Sequence, residues 1–367
     1  MGDLRVGDYV FGDGGQPTKV VWASEPSTPA TAWRVIFDDG TTVDVCGDHQ
    51  WTVQTAKQRK NSRRHRARRG WPIIRLPTAA TMTTTQLAND TLVKGSGRTA
   101  MANYTVANSR PVHYSPRQPL LVPPYVFGAW LGDGTSINGG YTCDPNDAQI
   151  VDIIRANGFE VTKGRAKHVW YIRGLLSQLR TLGVLGNKHI PAVYLQASEA
   201  DRLALLRGLM DTDGSASQKG ESYFYNKNRR LIDDMRELLA SLGVKSRLTT
   251  KTARLYGKDC GLAYAVYFKA GFPAFSLQRK LDRQTSPGTI QSSRYVVSVT
   301  PIAPVLMRCI AVDNDSKLFL ITKSYIPTHN SFTGATYAVA RHLWQYAGDP
   351  DRKQLVWLIG KDYLACK

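Results

Sequence analysis

Apolar and polar positions change rhythm several times along this chain. Over the first fifty residues they alternate with period two. Trp33 to Phe37 and Thr41 to Val45 flank Asp38-Asp39-Gly40, a hairpin signal in which a glycine-containing turn separates β-branched and aromatic runs. Residues 78–118 are rich in Thr, Ser, Asn and Pro, hold few periodic apolar positions, and predict a linker with short strands. From about residue 120 helix and strand patterns alternate. From Tyr295 to Ile326 the β rhythm returns. Positions 332–347 have helical spacing and Leu355 to Ile359 is a buried-strand run, a tail too short to bury a core alone.

The middle block contains a repeat. Val126-Phe127-Gly128-Ala129-Trp130-Leu131-Gly132-Asp133-Gly134 is followed by a helix over 148–157 and a strand over 169–172. Leu206-Arg207-Gly208-Leu209-Met210-Asp211-Thr212-Asp213-Gly214 is followed by a helix over 230–242 and a strand over 264–268. Gly128 and Gly208 hold the same place in the two copies, where a missing side chain lets two helix backbones approach. Helices packed there bring their C-terminal ends together, and with them Asp133 and Asp213. One Asp-Gly alone reads as a helix-ending turn. Its duplication at the same place in two modules is what gives it chemistry. Paired carboxylates beside DNA phosphates suit Mg²⁺, which keeps several waters or phosphate oxygens, and such ions stabilise the attacking and leaving oxygens of phosphodiester hydrolysis.

Charge strengthens that direction. The 367 residues include 48 Lys+Arg against 29 Asp+Glu, a net charge of +19, which points to nucleic acid as partner. Residues 57–69 alone hold eight Lys/Arg and no acid, and read either as a solvated loop or as a phosphate-contacting arm. At 42% hydrophobic and 21% charged, the chain is an ordinary globular one of two or three domains. No apolar stretch approaches the ~18 residues that span a bilayer, and no signal peptide opens it, so it is expected to be soluble. Cys46, Cys143, Cys260, Cys309 and Cys366 are odd in number and scattered, which excludes a zinc ribbon and fits a reducing compartment.

The repeat resembles the double-motif LAGLIDADG homing endonucleases over about 118–290. The resemblance implies that Asp133 and Asp213 are catalytic and bind Mg²⁺, and that strands of each module form a saddle on double-stranded DNA. Lys188, in Gly186-Asn187-Lys188-His189-Ile190-Pro191, takes the place of the family's lysine at the cleavage centre, and Lys280 is a weaker candidate for its symmetry mate. Trp130 and Gly132 depart from the family's usual residues.

The flanks carry a second chemistry. In His329-Asn330-Ser331 the Asn330 amide can attack its own carbonyl carbon and break the following bond, His329 can supply a proton, and Ser331 can accept an acyl group. Together with His49, in Asp44-Val45-Cys46-Gly47-Asp48-His49, and Cys309, in Arg308-Cys309-Ile310, this resembles an intein of the Hint (Hedgehog/intein) fold. His49 matches the family's histidine that activates the upstream scissile amide. Cys46 stands where Thr is common, Cys309 where Asp is common, and Lys317 near a frequent His.

The expected fold class is therefore α+β, a β-rich Hint horseshoe interrupted by a pseudo-twofold α/β LAGLIDADG endonuclease domain. Its segments are 1–110 and 292–330 (Hint), 118–290 (endonuclease) and 331–367 (host protein). The fold's usual first strand and its Cys or Ser nucleophile are not found before Gly7-Asp8, so either that strand is encoded elsewhere, as in split inteins, or the start is mis-set, and an N-terminal intein fragment or upstream extein is an expected partner. The tail from Ser331 resembles the segment after the P-loop of a phage terminase large subunit, and its end at Lys367 reads as a fragment of that host. That resemblance implies a monomer in the cytoplasm of a phage-infected or prophage-carrying bacterium, cutting the uninterrupted terminase gene. The alternative is a DNA-binding remnant whose cleavage or splicing has decayed. A stand-alone ATPase is excluded by the missing Gly-x-x-x-x-Gly-Lys loop.

Overall fold

The computed structural model describes residues 2–60, 79–95, 100–115, 119–217, 220–255, 258–284 and 291–329. Asn330, Ser331 and the rest of 331–367, and positions 61–69 of the basic run, lie outside the described residues. The fold is α+β. A β-rich body built from both ends of the chain carries an α/β body between them.

The larger sheet of the β-rich body runs in the order Leu318–Ile321, Ile326–His329, Gln50–Thr55, Tyr104–Ala107, Ser293–Ile302, Ala32–Phe37 and Thr42–Cys46, with Ala80–Thr83 also paired to Gln50–Thr55. Its neighbours are antiparallel. Strands from before and after the α/β body interleave, so this sheet cannot close without both. The alternation read in the sequence puts Val35, Phe37, Val43, Val45, Trp51, Val53, Tyr104, Val106, Val296 and Ile326 into one core. A smaller sheet joins Tyr9–Phe11, Pro17–Ala23 and Ile310–Val312.

Residues 78–118 do more than link. Thr83 and Gln86 form a reciprocal capping box that starts a short helix, Thr84–Ala88. Tyr104–Ala107 is an interior strand of the large sheet. Thr105 is as buried as Tyr104 and Val106, so a strand covered on both faces shows no polar alternation, and four residues are too few for a period. Positions 57–60 of the basic run are helical. Arg59 donates to Gln54 O and Asn103 O, both at 2.8 Å, so the run's first turn is anchored.

In the α/β body two helices, Pro124–Asp133 and Glu199–Thr212, lie side by side at the centre. Residues 125–131 are all buried, as a central helix requires. A Cβ on Gly128 would sit 2.3 Å from Leu205 O, and one on Gly208 2.2 Å from Tyr125 O. Only glycine permits this crossing. A three-stranded sheet (Gly140–Thr142, Val169–Ile172, Val161–Lys163) and a four-stranded one (Gly214–Ala216, Ser222–Asn226, Lys258–Phe268, Ser246–Leu255) belong to the two copies. The first copy is the abbreviated one: where the second has strand Gly214–Ala216, it has a single bridge, Gly134 to Tyr141. Helices Ala148–Ala156 and Arg229–Ser241 turn their apolar faces (Ile150, Val151 and Ile154; Leu231, Ile232, Met235, Leu238 and Leu239) into the common core.

Candidate active sites

Asp133 is the last residue of its helix and Asp213 the C-cap of the other. A helix C-terminus already carries partial negative charge from unpaired carbonyls, and two carboxylates there add to it. Two lysines answer that charge. Lys188 Nζ donates to Leu131 O, Gly132 O and Gly134 O at 3.0, 3.0 and 2.6 Å. Lys280 Nζ donates to Met210 O, Asp211 O, Thr212 O and Gly214 O at 3.0, 2.7, 3.0 and 2.6 Å. Positions 131, 132 and 134 of one copy correspond to 211, 212 and 214 of the other, so the amines are symmetry mates. Lys280, the weaker candidate in sequence, is held as firmly as Lys188. The sequence hid this because the second copy's longer hairpins spoil a simple offset between the lysines.

The electrostatics are those of a crowded, half-dry site. Burial and the charge of Asp213 push the Asp133 carboxyl up to about 6. Burial also raises Asp213, against which Asn226 Nδ2 donates at 3.0 Å. Burial pulls Lys188 and Lys280 down to about 8 each. Asp211, which sequence reading passed over, turns inward: it accepts from Tyr125 Oη at 2.8 Å and from the amides of Ser276 and Leu277 at 2.9 and 3.0 Å. It thereby holds the segment that delivers Lys280. Among the described residues no third His, Cys, Asp or Glu joins a cluster. Two carboxylates that oppose each other's ionisation, with lysines engaged on main-chain carbonyls, fit a divalent cation whose remaining ligands are water or phosphate.

On the second copy's sheet, Phe224 and Val266 point to the core while Tyr223, Tyr225 and Tyr267 share the opposite face. The Arg247 guanidinium lies 4.7 Å from the Tyr267 ring centroid and Lys251 Nζ 5.7 Å from that of Tyr225. On the first copy Tyr171 is 48% exposed. Cations interleaved with aromatic hydroxyls suit phosphate and base contact.

The other candidate residues divide between the two sheets. His49 lies in the turn that its own amide closes onto Cys46 O at 3.2 Å, just before strand Gln50–Thr55. His329 ends strand Ile326–His329 and pairs with Gln50. Nε2 of His49 is hydrogen-bonded to the Thr328 hydroxyl, a partner sequence reading missed, and its ring packs edge-on to Trp51 at 5.0 Å. Burial, reinforced by His329, pulls the His49 imidazole down to about 4. The two histidines, far apart in sequence, are therefore brought together. Cys309 immediately precedes strand Ile310–Val312 of the smaller sheet. Its amide donates to Ser24 Oγ at 3.0 Å and its carbonyl accepts from Ser24 N at 2.9 Å. Lys317 has a left-handed backbone, φ 56°, in the turn before Leu318–Ile321.

Among known proteins, the replicative DNA helicase DnaB of Mycobacterium intracellulare is 38% identical over 340 residues, covering 92% of this chain. The chain spans 56% of that relative's length. A crystal structure of the MchDnaB-1 intein aligns at 12% identity and a TM-score of 0.26, over 90% of this chain and 88% of that one. A crystal structure of I-DmoI with DNA and Ca aligns at 14% and 0.30, over 44% and 95%. Overlays this loose transfer no geometry. Residues 200–266, which hold Asp213 and all of the Tyr–Arg–Lys sheet face except Tyr267, match the LAGLIDADG-like domain model.

Proposed function

We propose that this chain is an intein whose Hint segments, 1–110 and 292–330, are interrupted by a site-specific double-strand DNA endonuclease over 118–290. The observation that carries the nuclease reading is the pair of glycine-sealed helices ending in Asp133 and Asp213, each end gripped by a lysine. Asp133 and Asp213 would hold Mg²⁺, which when bound would supply charge stabilisation to the oxygens of the scissile phosphate. The tyrosine-, arginine- and lysine-bearing sheet faces bind and orient the duplex. Lys188 and Lys280 fix the helix ends, and amines near pKa 8 hold or release a proton close to neutral pH. Asp133→Ala and Asp213→Ala should each abolish linearisation of a plasmid carrying the target. Binding should persist, because phosphate contacts supply most of the affinity. Full cleavage by either variant would sink the assignment. Binding without cleavage by the unmodified protein would favour the decayed remnant.

The pairing of His49 with Thr328, next to His329, supports splicing as the second activity. Asn330 Nδ2 attacks its own carbonyl carbon, a succinimide forms, the bond to Ser331 breaks, and His329 delivers the proton to the departing amine. Neutral His49 orients the upstream scissile amide, whose Cys or Ser nucleophile belongs to an N-terminal fragment or upstream extein. Cys309 is kept as a candidate at the smaller sheet. Asn330→Ala should stop release of the peptide that begins at Ser331, read by mass spectrometry. With a complementing N-terminal peptide, His49→Ala should block ligation and leave Asn330 cleavage largely intact. The terminase reading of 331–367 is not supported: the relative matched is named a replicative DNA helicase. The host is identified by the DNA that flanks the reading frame.

A further inference from the structure

The strand that carries Thr328 and His329 enters through a strained turn, residues 322–325, that is anchored from outside as well as within. Thr322 and Tyr325 both have left-handed backbones, φ 60° and 49°. For a β-branched and a bulky residue these are outliers that persist only where the surroundings hold them. Two internal bonds, Tyr325 N to Thr322 O at 3.2 Å and Ser324 N to Thr322 Oγ1 at 3.1 Å, close the turn. The other anchors come from elsewhere.

Arg294 Nη2 donates to Ser324 O at 2.8 Å, and the Ser324 hydroxyl meets Thr41 Oγ1 at 2.8 Å. Lys323 pairs with Glu237 of helix Arg229–Ser241 at 2.8 Å. Tyr325 is buried against Ala240 of the same helix and against Val112. Its hydroxyl meets that of Tyr114 at 2.6 Å. The Tyr114 ring in turn rests on the fully buried guanidinium of Arg202, 5.3 Å away, which is locked by bonds to Ala197 O and Ser241 O at 3.0 and 2.7 Å. Arg202 lies on helix Glu199–Thr212, whose far end is capped by Asp213. An unbroken run of contacts thus leads from a nuclease helix to the residue three before Thr328.

Resting on the splicing reading above, we infer that Tyr114, Tyr325 and Lys323, backed by Arg202 and Glu237 of the α/β body, are positioning residues for the splice junction. They hold the 322–325 turn, and so the Thr328–His329 strand end, against His49. The α/β body is then a buttress of the splicing site as well as a passenger within it.

Tyr325→Phe and Tyr114→Phe, made in the full chain, remove one hydroxyl each from the contact. Each should slow release of the Ser331 peptide about 3- to 10-fold, and the double variant should be no slower than the slower single. Lys323→Ala, at a side chain 84% exposed, cannot unfold the protein and should slow release about 2-fold. The readout that tells positioning from folding is the His49 imidazole titration by NMR, whose midpoint should move toward 6.5 while Tm stays within about 2 °C of the parent. Release and titration unchanged in all three variants would overturn the inference, as would slowing that only tracks a fall in Tm. If the parent chain released no peptide, the junction chemistry would fail, and the His49 titration alone would decide the positioning.

Discussion

At the scale of single residues, the protonation of Asp133 ties stability to pH. Its folded value of about 6 lies above that of an unfolded Asp. The stabilisation from its bound proton is therefore fully present below about pH 4 and is lost as pH rises through 6. By pH 8 the ionised, half-buried carboxylate costs on the order of 3 kcal/mol at most. Asp133→Asn should therefore raise Tm at pH 8 without divalent ions and change it little at pH 4. Mg²⁺ added to the parent should close most of the gap, and melting curves at the two pH values test both. His49 runs the other way: with a folded value of about 4, its contribution is complete above pH 6.5 and lost as pH falls through 4. Sequence reading picked out both acids and both histidines because each sat in a patterned motif. It missed Thr328, Asn226 and Asp211, because a lone hydroxyl, amide or inward carboxylate gains meaning only from what folding places beside it.

At the scale of elements, the two central helices were legible because their constraint is local: glycine at one position and unbroken burial around it. The interior strand Tyr104–Ala107 was not, since its environment is set by strands from distant parts of the chain. The same distinction predicts the effect of a methyl group. Gly128→Ala or Gly208→Ala puts a Cβ within 2.3 Å of a facing carbonyl oxygen, where backbone must move. Each should cost about 1–3 kcal/mol. Each should also reduce DNA linearisation more than DNA binding, because a shift of the helices separates Asp133 from Asp213 while leaving the sheet faces intact. Linearisation at the parental rate by a folded Gly208→Ala protein would argue against a shared cation.

At the scale of the whole molecule, binding to DNA should be strongly salt-dependent. A chain of net charge +19 should release counterions on binding if, as proposed, its two sheet faces meet phosphates. Affinity should fall at least tenfold between 50 and 200 mM salt on a target duplex, and a flat response would count against those faces.

The interleaved sheet also has a kinetic meaning. The α/β body leaves and re-enters it at adjacent positions: Asn108 N donates to Ser292 O at 2.9 Å, and its side chain donates to Gln291 O, 183 residues on. For a floppy chain, closing so long a loop costs about 4–5 kcal/mol of entropy before any sheet contact repays it. An α/β body that has already collapsed carries its own two ends close together and removes most of that search. Folding should thus run from the inside outward, with the β-rich body assembling last on a template that is itself folded. In refolding experiments, fluorescence from a tryptophan of the sheet core, Trp51, should recover after that of Trp130 in the α/β core.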